Sequence, residues 1–498
     1  MSAKHFTLSS LTLQASDNVN DSQVPIKHVE AEFARLSTRG EYLAAKDNKT
    51  IQKWRYTRLK KNNGGVQNHF QGIQRLSQSK YFVVSGGDWK TPCSDLFVLK
   101  MDSRPKTGPW WSNIAITRKP PDSDGIVTTI ELDSKLWHAG GMDVLGDIVA
   151  VPLEYSPPGS LDPLIGFNPP DFGNDEASKI IFLNFKNPEK PKIFPFEIAR
   201  QKEKAGAVAL TKLPNNYYLL ALWSDSDRHP RRLDFYLSKS INFMDGFQDK
   251  IWTWYADDVL AVGEQDRNFS NFQVINFLRQ EDEKFYLLGL HNTSAAAPAI
   301  PGKDYADLFA VDIPSSALKS IPKVSPDEIP NITKVGNLKV ECKHRQCNFD
   351  AGAGAYIDRG KIIIYSIYHW RTGEGLIRFN EFRSPIREAD STVTNKNAWL
   401  EMYDETYFEG RRLGILGTAQ MTVPNFDEVY AQGTGFEDKT SSIRYQLPKN
   451  SKCLLYEHKD YTKKLSLELK GNGQIEELTS LSDKIEGKIS SIKFLTHS

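Results

Sequence analysis

The sequence predicts an all-β protein: a five-bladed β-propeller followed by a second, smaller β-domain. Three observations predict it. A set of short strands recurs at a near-constant step, every copy opens on small residues, and a different pattern occurs twice after a change of composition near residue 390. The copies open at FQGIQRL from Phe70, HAGGMDVLG from His138, KAGAVALTKL from Lys204, FQVINFLRQ from Phe272 and DAGAGAYID from Asp350. The steps between these starts are 68, 66, 68 and 78 residues. Self-similarity at a fixed period marks a repeat architecture.

The elements follow in order. Residues 1–40 read as a polar N-terminal extension, partly disordered, with 1–25 the weakest in pattern. The propeller spans 41–390, with units starting near 66, 134, 201, 269 and 347 and a closing strand drawn from 41–60, because a ring needs one blade completed from the other end of the chain. In each unit a second, strongly apolar strand follows the small-residue strand: YFVVSGG, DIVAVPLEY, YYLLALWSD, FYLLGLHNT and KIIIYSIYH. A third follows in DLFVLKMD, KIIFLNFK, RLDFYLSK, DLFAVDI and GLIRFNEF, and a fourth is visible in some units, as in KIWTWYADDV. Short runs rich in β-branched and aromatic residues, bounded by Gly, Pro and Asn, favour strand over helix. Four antiparallel strands repeated radially make a propeller blade. The small residues then mark innermost strands whose backbones crowd one axis. A β-sandwich with glycine-rich bulges is the plainer alternative, but it does not account for five evenly spaced copies.

Bulk composition bounds the function. The chain has 498 residues, enough for two or three domains. Lys+Arg number 63 against 62 Asp+Glu, which gives no electrostatic case for nucleic acid or an anionic membrane. No apolar run approaches a membrane span and no secretory h-region opens the chain. The expectation is a soluble protein, cytoplasmic or exported by a non-classical route. Of four cysteines, Cys342 and Cys347 flank His344 in CKHRQC. That segment supplies three metal ligands where a zinc site takes four, so a reduced loop or a single disulfide is favoured. No nucleotide, haem or flavin motif is present.

Residues 396–498 carry the second pattern, in WLEMYDETYFEG from Trp399 and CLLYEHKDYTKK from Cys453, each copy ending in Ser-Ser-Ile. Tyr403, Phe408 and Gly410 stand in the spacing Y-x4-F-x-G, with Ser441 and Ser442 closing the motif. In the second copy Tyr456, Tyr461, Ser490 and Ser491 fit, and Lys463 replaces the glycine. This resembles a βγ-crystallin domain, which implies a Greek-key β-sandwich and, in many members, calcium bound through N/D-N/D-x-x-S/T-S loops. The resemblance maps one candidate calcium site onto Glu437, Lys439, Ser441 and Glu457. A second falls on Asp404, Glu486, Lys488 and Ser490, where the loop lacks an acidic second position.

Propellers take ligands at the axial mouth. Aligned starts put Phe70, His138, Lys204, Phe272 and Asp350 at equivalent positions, so an imidazole, an ammonium and a carboxylate are expected to converge there. His69, Gln71, Gln74, Asp143, Gln273 and Asn276 add polar groups along the same strands, and Trp89, Trp137, Trp223 and Trp370 are candidate sugar-stacking walls. Two function classes follow. One is a ligand-binding protein, for a glycan or other small molecule, with an accessory domain. The other is an enzyme, either glycoside hydrolase-like or a His/Asp acid–base lyase or cyclase using His138, Lys204 and Asp350. A hydrolase needs two carboxylates flanking the bond. The inner strands offer only Asp143 and Asp350, and Glu154 lies at the far end of a second strand, so binding is favoured.

Overall fold

The computed structural model describes residues 4–11, 13, 19–48, 68–77, 79–88, 93–102, 123–155, 177–201, 203–226, 229–256, 272–292, 303–342, 347–349, 352–368, 375–383, 398–403, 406, 412–417, 422–423, 438–461, 465–473 and 475–495. The chain is nearly all β and divides into two compact units, the division falling between Leu376–Arg383 and Ala398–Tyr403.

In the larger unit, antiparallel sets follow one another along the chain. The first is Asn68–Arg75, Tyr81–Asp88, Cys93–Met101 and Asp124–Asp133. In the second, the innermost strand is split into His138–Ala139 and Asp143–Leu145, followed by Ile148–Glu154, Ala177–Asn184 and Lys192–Gln201. Then come Ala207–Lys212, Tyr218–Ser226, His229–Leu237 and Trp252–Tyr255, and next Phe272–Arg279, Phe285–Asn292, Asp304–Asp312 and Asn331–Val340. The last set, Ala353–Asp358, Lys361–Ile367 and Leu376–Arg383, takes its fourth strand from Glu41–Lys46. A pairing of Lys46 with Gly125 then joins this last set to the first. The arrangement is propeller-like.

The sequence of each second strand explains its placement. In YLLALW, Leu219, Ala221 and Trp223 pack toward the following set, and Tyr218, Leu220 and Leu222 toward the preceding one. Both faces are buried, so the run is apolar throughout instead of alternating. Core clusters of this kind lie between successive sets. At the centre, backbones nearly touch. A Cβ on Gly140 would lie 2.0 Å from the Gly206 carbonyl oxygen, and one on Gly354 would lie 2.1 Å from that of Ile73. Gly141 donates to the Gly206 carbonyl at 2.9 Å, so small residues open these strands because neighbouring backbones leave no room for more.

The N-terminal extension contains a strap. Asp21 pairs with Lys212 and accepts from Tyr218, Ile26 N–H donates to the Arg279 carbonyl, and helix Val29–Ala34 packs Val29 and Phe33 into a core with Leu308 and Ile362. Cys342 and Cys347 form a disulfide, and Cys93 and Cys453 are buried thiols. No described helix is long and apolar enough to cross a membrane.

The smaller unit holds two four-stranded sheets. One is ordered Arg412–Gly417, Ala398–Tyr403, Ser442–Gln446, Ile475–Leu478, the other Thr422–Val423, Ser491–Leu495, Lys452–Tyr456, Leu465–Lys470. Each copy of the sequence pattern gives three strands to one sheet and one to the other, the crossing expected of paired Greek keys. Leu400, Met402, Ile443, Leu455, Ile492 and Phe494 form the core between them.

Candidate site at the end of the inner strands

His138 opens the split inner strand of its set and stands in register with Glu154, the last residue of the next strand. The hairpin therefore brings together two residues that lie sixteen positions apart. His138 Nδ1 is 3.1 Å from Glu154 Oε1, and Ala205 N–H donates to Glu154 Oε2 at 2.8 Å. The imidazole keeps 17% of its surface and the carboxylate 6%. Burial works against ionisation of Glu154. The bond from His138, the positive charge of Lys204 and the Ala205 N–H outweigh it and hold the carboxyl below the usual carboxylate range. The carboxylate oxygen faces Nδ1, so the imidazole and the carboxylate stand as a close pair at the end of the hairpin. Lys204, partly exposed, precedes Ala205 in the same loop. His138, Glu154 and Lys204 thus group an imidazole, a carboxylate and an ammonium at one end of the hairpin.

Toward the axis, the polar residues serve one another. Asp143 Oδ1 accepts from Val144 N–H at 2.8 Å and Asn276 Nδ2 at 2.7 Å, and Oδ2 from Leu210 N–H at 2.8 Å and Phe277 N–H at 3.4 Å. Asn276 Oδ1 accepts from Ala355 N–H at 3.0 Å, and Gln74 Nε2 donates to the Met142 carbonyl at 2.7 Å. These bonds tie the inner strands of all the sets together. Burial pushes the Asp143 carboxyl up to about 7, against the pull of its four donors.

The sequence-predicted residues therefore separate. Phe70, Gln71, Gln74, Asp143, Phe272 and Asn276 are buried and fill the space between strands instead of lining an open mouth. Phe70 packs edge-on against Phe97, and Phe272 against Trp223 and Phe309. Gln273 is half-buried. Trp223 is core, and Trp137 meets His138 edge-on with centroids 5.4 Å apart. Asp350, Trp89, Trp370 and the side chain of His69 lie outside the described residues. In the sequence Glu154 is a possible partner that lies at the far end of a second strand. The missed signal was hairpin register, since the end of a second strand faces the start of the first. A further group, Arg200, Glu203, Arg232, Asp234 and Lys250, joins the same region through ion pairs and carried no sequence signal.

In the smaller unit the Ser490 hydroxyl lies 2.8 Å from Asp438 Oδ1 and 2.9 Å from the Glu457 carbonyl oxygen. Ser441 is buried, its N–H donating to the Tyr403 carbonyl. Lys439 is exposed, and the Lys488 ammonium donates to the Lys484 carbonyl, so neither side chain supplies an oxygen. Glu486 is half-buried, and Glu437 and Asp404 lie outside the described residues. Among the described residues no three His, Cys, Asp or Glu side chains gather as a metal group.

No protein-family model matches the chain, and no curated protein matches it. Among solved structures it is similar to a βγ-crystallin domain from Flavobacterium johnsoniae, at 16% identity over 20% of this chain and 96% of that one, with a TM-score of 0.14. It is also similar to an α-L-arabinofuranosidase from Clostridium thermocellum, at 14% identity over 48% of this chain and 68% of that one, with a TM-score of 0.25. A xylan β-1,4-xylosidase from Bacillus halodurans shares 11% identity over 86% of this chain and 84% of that one, with a TM-score of 0.26.

Proposed function

We propose that the larger unit is a five-bladed β-propeller that binds a carbohydrate at the end of its inner strands, over His138, Glu154 and Lys204. The observation that carries the reading is the pairing of a partly exposed imidazole with a buried, ionised carboxylate beside a partly exposed ammonium. An imidazole and an ammonium offer polar groups of the kind that sugar hydroxyls pair with. The axis supports the same location, because Asp143 and Asn276 are spent on one another and on backbone. In the smaller unit, the Asp438 carboxylate, the Ser490 hydroxyl and the Glu457 carbonyl are oxygen ligands of the kind calcium takes, and we propose that ion as its accessory ligand. A glycan array probed with and without calcium tests both. Binding to some glycans is expected, and an array blank under both conditions refutes the carbohydrate reading.

One observation favours catalysis as a second reading. An imidazole oriented by a carboxylate is the base-and-orienter pair of acid–base enzymes. Incubation with the array ligands separates the readings: new reducing ends or an unsaturated sugar mean catalysis, and unchanged glycan means binding alone.

A further inference from the structure

We infer that Ser224 and Arg200 are positioning residues for His138, acting through the peptide between Lys204 and Ala205; the inference rests on the His138 cluster being the binding site. Ser224, in the second strand of the third set, donates to the Lys204 carbonyl at 2.8 Å. Arg200, on the outermost strand of the second set, donates through Nη1 to the same carbonyl and to Ser224 Oγ at 2.9 Å. Arg200 is itself held by Asp234, a fully buried carboxylate, and by Glu203 at 2.7 Å. Asp234 accepts further from Arg232 at 3.1 Å and from Thr253 Oγ1 at 2.8 Å. A peptide is planar, with its carbonyl and N–H pointing opposite ways when trans. Donors that fix the Lys204 carbonyl therefore aim the Ala205 N–H at Glu154 Oε2. Glu154, held at one oxygen, presents the other to His138 Nδ1. The chain Asp234–Arg200–peptide–Glu154–His138 crosses from one set to the next.

The test reads the imidazole in the ligand-free full-length protein. Histidine is labelled with 15N, the His138 ring signals are assigned by their loss in His138→Gln, and the ratio of the Nδ1–H to the Nε2–H tautomer is measured. The wild type is expected in the Nδ1–H form. Ser224→Ala removes one donor, and the ratio is expected to fall about 2- to 10-fold, the worth of one ordinary hydrogen bond. Ser224→Thr keeps the hydroxyl and restores the ratio. Arg200→Lys keeps the charge opposite Asp234, loses the fork and lowers the ratio, which keeps the test open if Ser224→Ala does not fold. An unchanged ratio in whichever of these two variants folds overturns the inference. Because no ligand is added, that result stands apart from a failure of glycan binding, which refutes the site itself.

Discussion

Asp143 offers the sharpest test of how the inner strands are held. All four of its hydrogen bonds come from donors, three of them backbone N–H groups on different strands. In Asp143→Asn one acceptor oxygen becomes an NH2 group facing two donors. The Asn276 amide cannot turn to compensate, because its oxygen serves Ala355 N–H. A buried donor left unpaired costs about 1–3 kcal/mol, so a loss of about 2–5 kcal/mol is expected, read by urea unfolding followed through tryptophan fluorescence. The pH dependence has a definite sign. The folded carboxyl titrates at about 7 against an unfolded value of 3.8. The native state therefore binds the extra proton between those values. The stability from this group is fully present below pH about 4 and is lost as pH rises through about 7. The penalty of Asp143→Asn should be smaller at pH 8 than at pH 5 by about 2–3 kcal/mol. A loss below about 0.5 kcal/mol at both pH values, the ordinary range for an inert surface change, would refute the pinning role. A penalty equal at pH 5 and pH 8 would show instead that the four donors keep Asp143 ionised throughout that range.

Two other perturbations follow from the fold. Gly354→Ala places a methyl group 2.1 Å from the Ile73 carbonyl oxygen, so strands of the last and first sets must part; a fall in unfolding free energy of at least about 1–3 kcal/mol is expected, and an unchanged denaturation midpoint contradicts the close approach. Reduction of Cys342–Cys347 opens a loop of sequence separation 5 and is expected to cost about 2 kcal/mol, lowering the thermal midpoint without abolishing folding. Native thiol labelling should then find these two cysteines and not Cys93 or Cys453, which are buried, and labelling of Cys93 in folded protein would contradict the first set as described.

Local chemistry made much of the fold legible. The glycine and alanine openings announced backbone crowding, and Gly140, Gly141 and Gly354 sit where carbonyls of other strands approach. The doubly apolar second strands announced burial on both faces, as Tyr218–Ser226 shows. The repeat also aligned His138 with Lys204; His138 Nδ1 stands 3.1 Å from Glu154 Oε1, and Ala205, next to Lys204, donates its N–H to the same carboxylate. What stayed hidden was partnership across distance. Asp143 reads as a ligand-binding carboxylate until its four donors are known, because three of them are backbone groups that no side-chain pattern records. Arg200 and Asp234 lie on different sets, and nothing in their local sequence marks them as a pair. The strap was equally silent: Val29 and Phe33 look like a short polar extension's stray apolar residues until a neighbouring core receives them.

The most direct test of the proposed site is the dissociation constant for the tightest array glycan, compared among wild type, His138→Ala and Lys204→Ala at pH 7 without calcium. A hydrogen bond to a charged group is worth about 1.5–3 kcal/mol, so weakening of about 10- to 100-fold is expected in Lys204→Ala, with at least a several-fold loss in His138→Ala. Wild-type affinity in both variants, with folding intact, would contradict binding at the end of the inner strands.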